Sequence, residues 1–229
     1  MSEKQIIVIG AGGHGKEVLA YLHDLIRGGN KIRMMGFIDD EKPKGPFAGS
    51  VVLGNLEDLR ALLDTSQSEF HYITAVGHNE IRKQLVERIQ NIGAEHFSAW
   101  TLCHPTVYVG PHVRIGEGTC LAPGSFVTTH VDLGKHCIVN VNSSISHDCT
   151  IGDFVNINPR VAIGGNVKIG EGCYIGAGAT IIDKVSIGPW TIIGAGAVVT
   201  ENLPAHVTAV GVPARIIKQH TENRSATLI

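Results

Sequence analysis

A six-residue hydrophobic repeat runs through the second half of the chain. An aliphatic residue stands at every sixth position from Val109 to Val199, and the residue two places before it is always Val, Thr, Ser, Cys or Ala. A helix of 3.6 residues per turn or a heptad coil cannot keep this register over about ninety residues. Three short strands per turn of a triangular prism can keep it, with both positions facing inward. The repeat therefore predicts an uninterrupted parallel β-helix of about five coils.

Glycine follows the aliphatic residue in many repeats, as in Ile115-Gly116 and Ile169-Gly170. We expect these glycines at tight corners, where the backbone needs an unusual φ or the absence of a side chain. Stacked coils bury one another's interior, while outer faces with few charges, such as that around residues 139–158, stay available. The pattern thus predicts a homotrimer.

The first hundred residues alternate between strand-like and helix-like patterns. A buried run at residues 6–9 predicts a strand, and a glycine-rich turn and an apolar helical stripe follow it. That stripe is formed by Val18, Leu19, Leu22, Leu25 and Ile26. Further strands are predicted at residues 34–39, 72–76 and 97–100, and further helices by Leu56, Leu59 and Leu63 after the cap Asn55, and by Ile81, Leu85, Val86 and Ile89.

This β-α-β-α-β-α-β order is typical of a half-sized, Rossmann-like doubly wound α/β domain. We predict that domain over residues 1–101, the β-helix over residues 102–202 and a C-terminal segment over residues 203–229. The N-terminal domain is followed by the β-helix without a long linker.

The turn after the first predicted strand matches GxGxxG through Gly10, Gly12 and Gly15, and the acidic pair Asp39-Asp40 lies about 24 residues further on. Such a turn holds a phosphate with backbone N–H groups at a helix N-terminus, and it suits a nucleotide sugar's diphosphate as well as NAD. A single mononucleotide-sized half favours the nucleotide sugar. A tight turn without a ligand, and a solvated acidic pair, remain alternatives.

The charge and cysteine content of the chain limit the kinds of partner and cofactor that we expect it to bind. With 19 basic and 21 acidic residues, no charge excess indicates nucleic acid or a membrane surface. We find no signal-peptide pattern and no apolar stretch of 18 residues, so we expect a cytoplasmic protein. The five cysteines form no CxxC pair and no metal-ligand spacing, which predicts reduced thiols and no metal. The cysteines are Cys103, Cys120, Cys137, Cys149 and Cys173, the last three at the small inward position.

One histidine is a candidate general base within the prism. His147 comes two residues after the inward Ile145, so it should lie near a corner and face outward, toward a neighbouring subunit. Asp148 follows it and can fix the imidazole tautomer. A neutral imidazole can take a proton from an attacking amine or hydroxyl. Four other histidines compete on sequence alone: His14, His104, His130 and His136.

Four segments together resemble one family over about residues 5–218. They are IIVIGAGGHG at residues 6–15, GFIDD at 36–40, SISHDCTIGD at 144–153 and GVPAR at 211–215. The chain resembles the sugar O/N-acyltransferases of the sialic acid O-acetyltransferase type, and within them the N-acetyltransferases of nucleotide-linked 4-amino-4,6-dideoxy sugars. The resemblance implies a left-handed β-helix, acetyl-CoA as co-substrate between two subunits, and a role in bacterial surface glycan biosynthesis.

The resemblance also implies roles for individual residues. His147 would be the general base, supported by Asp148 where relatives often have glutamate; the Gly165 N–H would hold the thioester carbonyl oxygen as charge develops. Asn140 would lie near the thioester sulfur, and Asn156 stands where many relatives carry histidine. The remaining acetyl-CoA contacts would be Ala177, Gly178, Ala195, Gly196, Pro213 and Arg215. The sugar nucleotide would contact Gly10, Gly12, Gly13, His14, Gly15, Asp39, Asp40 and Gly77.

The predicted reaction is direct attack of the sugar amine on acetyl-CoA. Cys149 occupies the inward track and should point away from His147, so we expect no acyl-enzyme. O-acetylation of sialic acid or another sugar hydroxyl remains an alternative, because it would use the same residues. A zinc-dependent carbonic anhydrase on the same prism and a non-catalytic nucleotide-binding protein are further alternatives.

Overall fold

The computed structural model describes residues 3–66 and 68–221 of the 229-residue chain. The last eight residues of the predicted C-terminal segment, 222–229, lie outside the described residues. The chain divides into two compact units, Met1–Pro105 and Thr106–Ile229. No helix in the described residues is long and apolar enough to cross a bilayer.

The N-terminal unit is built on one mostly parallel sheet with the order β3-β4-β2-β1-β5-β6. Only the β3–β4 hairpin is antiparallel. In chain order the elements are β1 (Lys4–Ile9), α1 (Gly13–Arg27), β2 (Ile32–Ile38), β3 (Gly45–Phe47), β4 (Ser50–Gly54), α2 (Leu56–Thr65), β5 (Phe70–Thr74), α3 (Asn79–Gln90), β6 (Phe97–Ala99) and β7 (Leu102–Cys103). The Rossmann-like prediction is confirmed.

This unit differs from the predicted pattern in its strands and in two apolar residues. The β3–β4 hairpin was not predicted, and β2 and β5 each begin two residues earlier than expected. Ile26, in the last turn of α1, is 37% exposed, whereas the predicted stripe buries it. Ile81 is 47% exposed because it lies in the first turn of α3 and lines a cavity rather than the core. The predicted cap of α2 is present, since Asn55 accepts N–H bonds from Glu57 and Asp58 at 3.0 Å.

The C-terminal unit is a prism of two-residue strands with three faces. The first face holds β8 (Tyr108–Val109), β11 (Phe126–Val127), β14 (Ser144–Ile145), β17 (Ala162–Ile163), β20 (Thr180–Ile181) and β23 (Val198–Val199). The second holds β9 (Arg114–Ile115), β12 (Asp132–Leu133), β15 (Thr150–Ile151), β18 (Lys168–Ile169) and β21 (Ser186–Ile187). The third holds β10 (Cys120–Leu121), β13 (Ile138–Val139), β16 (Asn156–Ile157), β19 (Tyr174–Ile175), β22 (Ile192–Ile193), β24 (Val207–Val210) and the antiparallel β25 (Arg215–Gln219).

Strands on one face pair in parallel with the strand 18 residues away, as Ser144 pairs with Phe126 and Ala162. The chain therefore visits the first, second and third faces in turn, as the repeat predicts. From Leu121 to Val199 every sixth aliphatic residue is no more than 3% exposed. The small-residue track beside it is buried as well, including Cys137, Cys149 and Cys173. The predicted parallel β-helix of hexapeptide repeats is thus confirmed.

Of the two reasons predicted for the corner glycines, the structure supports the absence of a side chain and not an unusual φ. The glycine after the aliphatic residue has no positive φ; a Cβ on Gly116 would lie 2.5 Å from the backbone of Gly134 in the next coil. The glycine is required by close approach of the coils. Positive φ occurs three residues after the aliphatic instead, and glycine holds only some of these positions. They are His112, Gly118, Gly124, His130, His136, Asn142, Asp148, Phe154, Arg160, Asn166, Gly172, Gly178, Lys184, Trp190 and Gly196.

Candidate active site

His147 lies on the edge of the prism between the first and second faces, two residues after β14. Its Nδ1 is 2.8 Å from Oδ2 of Asp148, and the two side chains are 57% and 53% exposed. Asp148 has a φ of 59°, which turns the backbone at this corner so that adjacent residues form the pair. A carboxylate at Nδ1 holds the ring proton there and leaves the Nε2 lone pair to accept a proton from solvent or substrate. This arrangement is chemically able to act as a general base.

Gly165 occupies the same edge one coil beyond His147. A Cβ at this position would lie 2.6 Å from Cε1 and 2.7 Å from Nε2 of His147, so the imidazole rests directly against the glycine. The Gly165 N–H donates to Oδ1 of Asp183 at 2.9 Å. The amide predicted to hold the thioester oxygen is therefore already hydrogen-bonded to a carboxylate. Sequence reasoning missed Asp183, because a single acidic residue at a corner carries no distinctive signal.

The residues predicted to contact acetyl-CoA lie mostly on a different edge, between the third and first faces. Asn140 follows β13 there, and its Oδ1 accepts the Val141 N–H at 2.7 Å. Ala177-Gly178 and Ala195-Gly196 follow on later coils of the same edge. A Cβ on Gly178 or Gly196 would meet nothing within 4 Å, so this edge is open. Within one chain, the first face separates these residues from His147.

The other predicted acetyl-CoA residues are placed differently. Asn156 lies in β16 on the third face and is buried. Pro213 is exposed, and Arg215 begins β25 with its guanidinium 3.0 Å from Glu201. The structure does not bring Asn156 to the same edge as Asn140.

The competing histidines differ from His147 in surroundings. His104 is buried, with Nε2 3.1 Å from Asp24, and His136 is buried and stacked on Phe154. His130 is exposed, but its Nδ1 contacts the Thr129 hydroxyl rather than a carboxylate. His14 is mostly buried, with Nδ1 2.8 Å from Glu17. Of these five histidines, His147 alone is mainly exposed and paired with a carboxylate.

Cys149 faces the interior of the prism. It is buried, and its Sγ lies 3.1 Å from the Gly164 carbonyl oxygen. Burial raises the pKa of the Cys149 thiol, which disfavours the thiolate needed for nucleophilic attack. These observations agree with direct transfer without an acyl-enzyme.

We expect Cys149→Ala to retain the activity of the wild type. The substitution removes one buried sulfur, so the free energy of unfolding should fall by about 1 kcal/mol without a change at the His147 edge. CoA release at saturating substrates, together with a thermal unfolding curve, checks both statements. A large loss of kcat in a folded Cys149→Ala protein would point to a covalent intermediate.

The glycine-rich turn of the N-terminal unit leaves a helix N-terminus open. Gly10 has a φ of 107°, and a Cβ on Gly15 would collide with the Gly10 carbonyl, so both positions require glycine. Gly12 caps α1 without a side-chain bond, and a Cβ on Gly12 or Gly13 would meet nothing within 4 Å. No acidic residue lies in the first turn of α1. A phosphate can approach these backbone N–H groups.

A cavity of about 340 Å³ opens at the carboxyl ends of β1 and β2. Its lining includes Asp39, Asp40, Ile81, Gln84 and Arg88. Gln84 and Arg88 on α3 were not predicted, since two polar residues four positions apart on a helix usually mark a solvated face. Gly77, predicted to contact substrate, follows β5, is exposed and does not line this cavity.

The acidic pair has structural partners as well as a cavity surface. Asp39 accepts N–H bonds from Ala11 at 2.6 Å and from Glu41 and Lys42 at 3.0 and 3.1 Å. Asp40 accepts the Leu56 N–H at 3.1 Å, and its other oxygen lies 2.9 Å from Arg88. Asp39 therefore ties the turn after β1 to the turn after β2. Both carboxylates thus take part in the fold, and the nucleoside contact stays a prediction.

Family models match both units. Residues 5–89 match the PglD N-terminal domain, and residues 148–183 and 166–201 match the bacterial transferase hexapeptide (six repeats). A curated relative, UDP-N-acetylbacillosamine N-acetyltransferase from Bacillus subtilis (strain 168), is 36% identical over 123 residues. That match spans 52% of this chain and 51% of the relative's length.

The described residues contain no group of three or more His, Cys, Asp or Glu side chains placed to hold a metal ion.

Solved structures match over nearly the whole chain. A mutant of perosamine N-acetyltransferase from Caulobacter crescentus, in complex with CoA and GDP-perosamine, is 32% identical with a TM-score of 0.83, covering 94% of this chain and 97% of that one. The acetyltransferase domain of PglB from Neisseria gonorrhoeae is 34% identical with a TM-score of 0.81, covering 94% and 100%. The chain belongs to the sugar N-acetyltransferase family that joins a PglD N-terminal domain to a left-handed β-helix of hexapeptide repeats.

Proposed function

We propose that this protein transfers an acetyl group from acetyl-CoA to the 4-amino group of a nucleotide-linked amino-dideoxy sugar in bacterial surface glycan biosynthesis. The observation that carries the proposal is the exposed His147–Asp148 pair beside Gly165 on one edge of the prism. Two further observations support it: the open glycine turn and cavity of the N-terminal unit, and the substrates named for the relatives.

His147 serves as the general base in this proposal. The unprotonated sugar amine attacks the thioester carbonyl carbon, the C–N bond forms, and the proton passes from nitrogen to His147 Nε2. As the tetrahedral intermediate collapses, the C–S bond breaks, and the imidazolium returns the proton to the leaving thiolate. Asp148 keeps the ring oriented and stabilises the imidazolium. Such a base contributes about 10²–10⁴ to the rate.

We place the active site between subunits of a homotrimer. His147 and the acetyl-CoA edge that holds Asn140 are separated by the first face within one chain, so a second copy must bring them together. If the first faces line a threefold axis, the His147 edge of each subunit meets the Asn140 edge of the next. The apolar first face supports this arrangement, because Tyr108 and Phe126 are 52% and 51% exposed and pack their rings together at 6.1 Å.

We expect Phe126→Asp to dissociate the trimer. The substitution would place three carboxylates around the axis, where burial and like-charge repulsion both oppose association. Sedimentation velocity should show monomers, and CoA release should be lost with the interface. Thr150→Asp, at the equivalent exposed strand position on the second face, should leave a trimer. A trimeric Phe126→Asp protein would move the interface to another face.

The substrates bind in the two units. The N–H groups at Gly12, Gly13 and His14 would hold the diphosphate of the sugar nucleotide, and the cavity bounded by Asp39 and Asp40 would take the nucleoside. None of the five cysteines forms a disulfide in the described part of the chain, which is consistent with a cytoplasmic reaction.

The test is CoA release, measured by thiol titration, from acetyl-CoA mixed with UDP-, dTDP- and GDP-linked 4-amino sugars and with free sialic acid. Turnover with one nucleotide-linked amino sugar is expected. Turnover with the free sugar alone would assign sugar O-acetylation instead. Tight nucleotide binding without CoA affinity or turnover would assign a non-catalytic nucleotide-binding role.

A further inference from the structure

Three groups stack along the His147 edge in successive coils. His147 rests against Gly165, and the Gly165 N–H donates to Oδ1 of Asp183, which lies 18 residues further on. Asp183 is exposed, so its side chain reaches the amide from the solvent side of the edge. The base, an amide donor and a carboxylate therefore meet at one glycine.

A second corner of the prism has the same type of hydrogen bond but no histidine beside it. On the edge between the second and third faces, the Lys135 N–H donates to Oδ1 of Asp153 at 2.7 Å, again 18 residues further on. Cβ atoms built on Gly134 and on Gly164 would collide with the carboxylates of Asp153 and Asp183, respectively. The carboxylate thus satisfies a corner N–H that no strand partner reaches. The Asp153 copy is a natural comparison, because it has this bond without His147.

At the His147 edge this bond would conflict with the oxyanion role predicted for the Gly165 N–H. An oxyanion can be stabilised by the Gly165 N–H only at the position beside it that the Asp183 oxygen occupies at 2.9 Å. Two negative oxygens competing for one donor would repel each other. The thioester carbonyl can use this amide only after Asp183 has left it.

We propose that Asp183 is a latch on the oxyanion position: it occupies the Gly165 N–H in the free enzyme, and the thioester carbonyl of acetyl-CoA displaces it. The inference rests on the proposed acetyltransferase function. Because Asp183 is exposed, the released carboxylate can turn into water. The displaced bond is charge-assisted and the new one is not, so the exchange weakens acetyl-CoA binding.

The latch makes a specific prediction about the carbonyl group. Removing Asp183 should strengthen binding of a ligand that needs the amide and leave unchanged a ligand that does not. S-ethyl-CoA, a thioether with a methylene in place of the thioester carbonyl, has no oxygen for Gly165. The ratio of its dissociation constant to that of acetyl-CoA therefore reports the latch alone.

The experiment measures both dissociation constants by titration calorimetry on the full chain. For Asp183→Ala we expect acetyl-CoA to bind about tenfold tighter than to wild type, which equals about 1.4 kcal/mol, with S-ethyl-CoA unchanged. Asp183→Asn keeps an oxygen acceptor without the charge and should give a smaller gain. Asp153→Ala, the matched variant, should keep the wild-type ratio. Thermal unfolding curves confirm that each variant is folded.

The outcomes separate the two proposals. The latch would be overturned if folded Asp183→Ala and Asp183→Asn proteins kept the wild-type ratio of the two dissociation constants. Asp183 would then keep its hydrogen bond to the Gly165 N–H when acetyl-CoA is bound. The latch would also be overturned if Asp153→Ala shifted the ratio of the two dissociation constants as much as Asp183→Ala does. The shift would then follow from removing any corner carboxylate of the prism. Failure of the wild type to bind either CoA ligand would overturn the acetyltransferase proposal itself.

Discussion

Replacing His147 by alanine is expected to lower kcat by about 10²–10⁴ with little change in the affinity for acetyl-CoA. The side chain is mainly exposed, and its polar partner among the described residues is Asp148, so its removal affects proton transfer far more than folding. CoA release by thiol titration, at saturating sugar nucleotide, measures the loss. Because the amine must lose its proton in the transition state, the defect should appear equally in kcat and in kcat/KM.

Two further variants make this result interpretable. Asp148→Asn keeps the shape of the partner but removes its charge, so we expect a smaller loss than for His147→Ala. His130→Ala lies on the same edge one coil earlier, at a corner position with positive φ, and should retain the wild-type kcat. A wild-type kcat for His147→Ala would mean that another group removes the proton, and a loss for His130→Ala would make it the first candidate.

The prism could be predicted almost residue by residue, because its sequence repeat and its structural repeat are the same. One inward aliphatic position per strand is enough to fix the register, and each predicted inward residue from Leu121 onward is buried. A six-residue period fits no other regular structure that a globular chain forms. The outward position of His147 followed from the same register, since it lies two residues from the inward Ile145.

The backbone conformation at the corners of the prism could not be predicted from the sequence. A glycine in the sequence does not reveal whether it is needed for its φ or for its missing side chain, and here the close approach of coils decides. The left-handed positions are partly held by bulky residues such as His112 and Trp190, which sequence statistics place elsewhere. The regular coil stacking compensates for their cost. Residue preferences for positive φ therefore do not predict which residues stand at the corners of the prism.

The other features that the sequence did not predict are hydrogen bonds between residues distant in sequence. Asp183 lies 18 residues from Gly165, and nothing in the sequence distinguishes it from a solvated acid. Asp39 was predicted as a ligand contact, yet its oxygens accept three backbone N–H groups. The hydrogen-bond partner of a polar group is set by the fold and not by its neighbours in the chain.

Gly165→Ala is expected to lower kcat by about 10² or more while leaving the protein folded, because a misplaced catalytic group costs this much. The added Cβ would lie 2.6 Å from Cε1 of His147, so the ring must move away from its present position. Gly165 has no positive φ, so the alanine backbone itself is unstrained. The alanine also keeps the N–H that bonds Asp183, which separates loss of ring position from loss of the amide donor.

The matched measurement is a double-mutant cycle on kcat with His147→Ala. If Gly165 acts by leaving room for the imidazole, adding Gly165→Ala to His147→Ala should cost nothing more, because the ring it displaces is already absent. An equal loss in both backgrounds would show that the methyl group obstructs the thioester or shifts the amide instead. A wild-type kcat for Gly165→Ala alone would mean that the imidazole works from a position clear of the glycine, and the stacked arrangement would then describe only the free enzyme.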